Sequence, residues 1–151
     1  MLFYNLYMIT INKILIKTKR VLIRPLNSDD FSTFKNYVSK KQEKQLKRMF
    51  DKTLKDNNTL GIFIDDILVG AFLFYEKYHK TYIGASTRKD YRNQGIMKEA
   101  LSNLIDYLFS NNLLENIYAE IDKENYPSIN VVTSCGFKPY RIKEKTIIYK
   151  K

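Results

Sequence analysis

The stretch over residues 81–101, TYIGASTRKDYRNQGIMKEAL, constrains the chain more than any other segment. Its opening residues read as a strand. From Ile96 the apolar positions turn helical: Ile96, Met97, Ala100, Leu101, Leu104, Ile105, Leu108 and Phe109 share one face, until Asn111 and Asn112 end the run. A short polar loop joins the two. Such a junction leaves the first helical N–H groups without intrahelical partners, with the positive end of the helix dipole behind them. Both favour an anion, and a pyrophosphate is the usual occupant. Gly95 lets the backbone approach phosphates closely, and Arg92 and Lys98 add charge. The plainer alternative is a connecting loop carrying a surface arginine.

The rest of the chain supplies a sheet for this junction. Residues 13–26 (KILIKTKRVLIRPL) alternate apolar and polar, which predicts one strand closed by Pro25. Asn27 then caps a helix with Asp29 and Asp30 in its first turn and with Phe31, Phe34 and Val38 at helical spacing. A second helix over residues 41–54 puts Leu46, Met49, Phe50 and Leu54 on one face. Its other face carries Lys40, Lys41, Lys44, Lys47, Arg48, Lys52 and Lys55, which read as a solvated surface in preference to a nucleic-acid site. Residues 60–64 and 68–75 form a hairpin about Asp65, Asp66 and Ile67, and a turn over 77–79 leads to a strand at 80–87. After the long helix come a strand at 116–121, a helix at 127–134 ended by Gly136, and a last strand at 142–149. Strands alternate with helices only in the second half, so the sheet is mixed, antiparallel early with a parallel pair later.

At 151 residues the chain fits one domain, residues 1–151, with residues 1–12 as an N-terminal extension. The apolar opening is broken by Asn5 and Asn12 and lacks a basic flank, which argues against a signal peptide or a membrane span. Cys135 is the only cysteine, so an intramolecular disulfide and a cysteine-based zinc site are both excluded, and a reducing cytoplasm is the expected setting. No metal site is expected. The net charge of +10 admits acidic partners: a polyphosphorylated cofactor, an acidic protein or nucleic acid.

Arg92-Asn93-Gln94-Gly95-Ile96-Met97 resembles the pyrophosphate loop (R/Q-x-x-G-x-G/A) of GNAT acetyltransferases, and the run over 91–101 resembles its variant in the ribosomal-protein N-acetyltransferase branch. Met97 departs from the small residue general in the family but suits that branch. Residues 117–137 (IYAEIDKENYPSINVVTSCGF) are similar to the branch's strand, Asn-x-x-Ser and short helix ending in Gly-Phe, here Asn125, Ser128, Gly136 and Phe137. Residues 18–26 resemble its first strand. The resemblance covers about residues 13–149. It implies an α/β fold with a single mixed sheet of about six to seven strands and about four flanking helices.

The resemblance further implies acetyl-CoA as donor, lying in a splay between the strand ending at Thr87 and the strand at 116–121. Backbone groups near Ala85 and Thr87 would pair with the pantetheine arm, and amides of Arg92, Asn93, Gln94, Gly95, Ile96, Met97 and Lys98 would hold the pyrophosphate. Asn125 would hydrogen-bond the arm and Ser128 would sit near the sulfur, a helix cap being the competing role for Ser128. A neutral amine would attack the thioester directly, helped by oxyanion-stabilising N–H groups and by proximity. Where many relatives carry a base, a Glu before the Ile-Gly pair, this chain has Tyr82; where many carry a tyrosine proton donor on the final helix, it has Val132. Glu76 and Glu120 are the acidic candidates left for a base, each with a surface charge as the competing reading. His79 reads as a solvated turn residue and Cys135 as small packing. The implied acceptor is a protein or peptide N-terminal amine; a polyamine or aminoglycoside, or a non-catalytic acyl-CoA-binding module, are the alternatives. Only fifteen residues follow Gly136, which suits an open cleft or one completed in a homodimer.

Overall fold

The computed structural model describes residues 11–37 and 42–151. It is an eight-stranded sheet in the order β1-β2-β3-β4-β5-β6-β8-β7. The strands are β1 (Ile16–Lys17), β2 (Leu22–Pro25), β3 (Thr59–Ile64), β4 (Ile67–Lys77), β5 (Lys80–Thr87), β6 (Tyr118–Asp122), β7 (Lys138–Ile142) and β8 (Thr146–Lys150). The helices are α1 (Phe31–Tyr37), α2 (Glu43–Asp56), α3 (Ile96–Ser110) and α4 (Tyr126–Ser134). Eight strands are slightly more than the six to seven expected, and the strands added to the six read along the sequence lie toward the chain ends. The period-2 run at 13–26 is a hairpin, because Thr18 closes a turn on Val21: its N–H donates to the Val21 carbonyl at 2.9 Å and its Oγ1 accepts from the Val21 N–H at 3.1 Å. The predicted last strand over 142–149 corresponds to β8, and β7 is a further strand that lies before it and meets the predicted range only at Ile142.

Local chemistry sets the connections. Asn27 and Asp30 form a reciprocal capping box at the single 3₁₀ turn before α1. Asp30 is also buried against Arg24, whose Nη1 and Nη2 reach its two carboxylate oxygens at 2.7 and 2.8 Å, so this pair ties β2 to α1. Asp65 and Asp66 both take positive φ, 47° and 64°, in the two-residue turn that suits a twisted hairpin. The predicted helical positions Val38, Lys40 and Lys41, and residues 1–10 of the predicted extension, lie outside the described residues. Ile11, the next residue, is buried in the main core.

Alternation along the strands sorts side chains to two faces. On one, Ile62, Phe72, Phe74, Ile83, Ala119 and Ile121 pack with Leu101, Leu104 and Ile105 of α3 and Val132 of α4. On the other, Phe34 of α1 and Phe50 of α2 pack on Phe63 and Leu68. Farther along this second face Tyr75, Tyr82, Tyr118 and Ile148 cluster instead. Ring centroids there lie 5.3 Å apart for Tyr75–Tyr82, 5.6 Å for Tyr82–Tyr118 and 5.3 Å for Tyr118–Tyr140. No helix among the described residues is long and apolar enough to cross a membrane.

A cleft where two strands part

The parallel pair β5–β6 registers only at Tyr82 and Tyr118. By contrast β4 stays paired with β5 along its whole length, from Lys80 to Thr87. Beyond Tyr82, then, the β6-facing edge of β5 keeps its backbone donors and acceptors unpaired with β6, and the two strands splay. The opening is a cleft of about 820 Å³. Its walls are residues 83–87 of β5 and Ala119, Glu120, Ile121 and Asp122 of β6; one end is closed by the loop before α3 and the other by the start of α4.

Every residue proposed for cofactor binding lines this one cleft: Ala85, Thr87, Arg92, Asn93, Gln94, Gly95, Ile96, Met97, Lys98, Asn125 and Ser128. Of the acidic candidates Glu120 lines it, whereas Glu76 stands on β4 opposite Thr81 and beside His79, 3.9 Å from its Nδ1. The loop is held by local bonds. Arg92 Nε donates to the Thr87 carbonyl at 3.0 Å and Gln94 Nε2 to the Asp90 carbonyl at 3.1 Å. Asn93 and Gly95 take positive φ, 60° and 73°, and α3 starts at the next residue. Its first bond runs from the Glu99 N–H to the Gly95 carbonyl, leaving the amides of Ile96, Met97 and Lys98 outside the intrahelical ladder. Asn125 caps α4, its Oδ1 accepting from the Ser128 N–H at 3.3 Å.

Two pairings had no local signature. Arg20, in the β1–β2 turn, donates from Nη1 to the Gln94 carbonyl at 2.7 Å and from Nε to Glu99 at 2.6 Å, while Thr18 Oγ1 donates to the same carboxylate at 2.7 Å. The first hairpin thus clamps the loop and the first turn of α3, and Glu99 is held below the usual carboxylate range by the Thr18 and Arg20 hydrogen bonds, against the burial that would raise it. Tyr37, at the end of α1, hydrogen-bonds Ser86 in the cleft wall, and burial pushes its hydroxyl above the ordinary value. Arg20 stands inside the motif at 18–26, yet its partners lie more than seventy residues away.

Glu120 is the most engaged carboxylate of the cleft. It accepts from Lys143 Nζ at 2.8 Å, Thr146 Oγ1 at 2.8 Å and Lys77 Nζ at 3.3 Å, and the Lys143 and Thr146 bonds lead in drawing its pKa down to about 2. It is anionic throughout the neutral range and has little basicity.

An α/β sheet splayed at a parallel pair, with an anion-receptive loop at the helix that follows, makes a cleft suited to an elongated ligand that carries phosphate. Known proteins agree. The family model of the acetyltransferase (GNAT) domain matches residues 20–138. YnaD of Bacillus subtilis, an uncharacterised N-acetyltransferase, is 29% identical over 139 residues, 82% of each chain. A GNAT-family acetyltransferase structure from Bacillus anthracis superposes with a TM-score of 0.75 at 24% identity, covering 91% of this chain and 96% of that one. The ribosomal L7/L12 α-N-protein acetyltransferase in complex with coenzyme A gives a TM-score of 0.73 at 14% identity over 91% and 97%. At these identities the two structures show a shared fold. The chain belongs to the GNAT acetyltransferase family. It is accordingly an N-acetyltransferase with acetyl-CoA as donor.

Proposed function

We propose that this protein acetylates the α-amine of a protein or peptide N-terminus. One observation carries the choice of amine: among the described residues the cleft lining offers no strong base. Its carboxylates are Glu120, held by three donors, and Asp122, whose Oδ1 accepts from the Glu124 N–H; His79 lies outside the lining. An α-amine, with a pKa of about 7.7–8.0, is partly neutral at pH 7, whereas a lysine-like amine near 10.4 gives up roughly 3.4 kcal/mol more to become a nucleophile. Lys77 and Lys143 beside Glu120 also disfavour a polycationic acceptor. The fold shared with a ribosomal-protein N-terminal acetyltransferase supports the same reading.

The cleft fits the donor. The splayed edge of β5 at Ala85 and at the Thr87 N–H offers peptide groups unpaired with β6 to an amide-containing arm, and Asn125 and Ser128 line the same cleft from the start of α4. The amides at the start of α3, with Arg92 and Lys98, suit the pyrophosphate. When bound, acetyl-CoA supplies an acetyl group activated as a thioester. These residues fix its position so that transfer rests on orientation and on backbone donors along the strand edge. With Glu120 this weak as a base, the acceptor's proton leaves to water. The cytoplasm suits the single buried thiol of Cys135.

The test follows thiol release from acetyl-CoA against N-terminal peptides, polyamines and aminoglycosides across pH. Transfer to peptides is expected, with kcat/KM rising along the acceptor's own titration near pH 7.7–8.0. Preferential transfer to polyamines or aminoglycosides would overturn the assignment, as would cofactor binding without transfer to any amine.

A further inference from the structure

Glycines in this sheet have different reasons to be glycine. A Cβ on Gly61 would fall 2.5 Å from Phe63 Cε2, and one on Gly70 would fall 2.8 Å from the Ser86 carbonyl oxygen. Packing requires both. At Gly84 in the middle of β5 the nearest atom to a Cβ is the Leu73 carbonyl oxygen at 3.9 Å, and the backbone is not among the positive-φ glycines. Neither sterics nor conformation asks for glycine there, and a mid-strand glycine costs roughly 0.5–1 kcal/mol relative to alanine. The fold carries an unneeded glycine on the cleft wall.

The missing side chain would point to a definite place. Tyr82, Gly84 and Ser86 share a face of β5, opposite Tyr75, Leu73 and Ala71 of β4. This is the tyrosine face, away from α3 and α4. The loop, α3 and α4 occupy the other side of the splay, which leaves the tyrosine face as the side from which an acceptor can enter. Gly84 is the floor of that approach. Around it stand Leu73, which is 44% exposed, the stacked Tyr75–Tyr82 pair, and Ser86 with its Tyr37 partner.

We infer that Gly84 sets the width of the acceptor passage and so selects amines by the bulk next to the nitrogen. Resting on the acetyl-transfer reading above, this adds a specificity-determining position to it. One wall of the passage is apolar and aromatic, and across the splay on the same face stands Glu120 with Lys77 and Lys143.

The experiment compares Gly84→Ala and Gly84→Val with the wild-type chain. Acetyl-CoA affinity is measured by calorimetry, melting temperature by a thermal scan, and transfer with hydroxylamine as a small nucleophile against peptides beginning with Gly, Ala, Ser or Leu. Unchanged or raised melting temperature is expected, and the hydroxylamine rate is expected to fall less than the peptide rates. Peptide kcat/KM should fall about tenfold or more with Val and less with Ala, most for Leu-first peptides. Equal loss for hydroxylamine and peptides, loss of acetyl-CoA affinity, or peptide rates untouched by Val would each overturn the inference. If the wild-type chain acetylates no peptide, the N-terminal assignment fails by itself. The ratio of hydroxylamine to spermidine rates then decides the role of Gly84 in the same way.

Discussion

Replacing Gly95 separates strain from function in the loop before α3. Its φ of 73° and ψ of 9° are left-handed, and a Cβ there would come no closer than 3.5 Å to Arg20 Nη2, an ordinary contact. The cost of a side chain is therefore backbone strain alone, about 1–2 kcal/mol for Ala or Val and less for Asn, which tolerates this region. In a chain of this size that lowers the melting temperature by roughly 2–8 °C, leaving most of a typical 5–15 kcal/mol intact. Ala and Val escape the strain if the loop rotates out of the left-handed region, which swings the neighbouring amides away from an anion. A charge-assisted hydrogen bond is worth about 1.5–3 kcal/mol, so losing one weakens acetyl-CoA about tenfold or more. Calorimetric titration of the three variants alongside thermal melts reads both effects. Gly95→Asn should bind nearly as the wild-type chain does, with Gly95→Ala and Gly95→Val at least about tenfold weaker. If all bind equally while their melting temperatures fall in the order of strain, the loop does not hold the cofactor.

Glu120 makes a second prediction. Its folded pKa of about 2 lies below the ordinary 4.5, so its stabilisation is complete above pH 4.5 and disappears as pH falls toward 2. The shift sets an upper limit of about 3 kcal/mol, and Glu120→Gln should remove most of the difference in unfolding free energy between pH 6 and pH 3 that this group contributes. The same variant should keep the alkaline limb of the activity profile; loss of that limb would make Glu120 the base after all. Arg20→Met should weaken acetyl-CoA binding about three- to tenfold through loss of the Gln94 contact, beyond the small effect of a half-exposed ion pair. A lower melting temperature with unchanged affinity would reduce the clamp to a structural tie.

Much of the cleft is legible because its parts are local in sequence. Strand, loop and helix over residues 81–101 are contiguous, so helix-end physics applies without knowing the rest of the fold. The hairpin at the first strand is hidden because its turn contains neither Gly nor Pro: Thr18 closes it with its own side chain, and period-2 alternation runs straight through. β7 is hidden for another reason. All five of its residues are exposed at the edge of the sheet, so burial leaves no mark on its pattern. Glu120 looks like any strand acid until Lys77, Lys143 and Thr146 arrive from β4, the turn after β7 and β8. Arg20 and Tyr37 owe their positions to long-range closure in the same way.

The single register between β5 and β6 makes this sheet two antiparallel blocks meeting at one seam. In the first, β1 through β5 pair in chain order; in the second, β6, β7 and β8 pair across α4 and one tight turn. Most pairings are therefore between strands consecutive in the chain, yet β2 must reach β3 across α1 and α2 just as the seam must close across α3. The proposed donor groove and the least-paired line of the sheet's interior coincide. A long ligand laid along that line would supply the missing rungs, so binding would also stitch the two halves into one sheet.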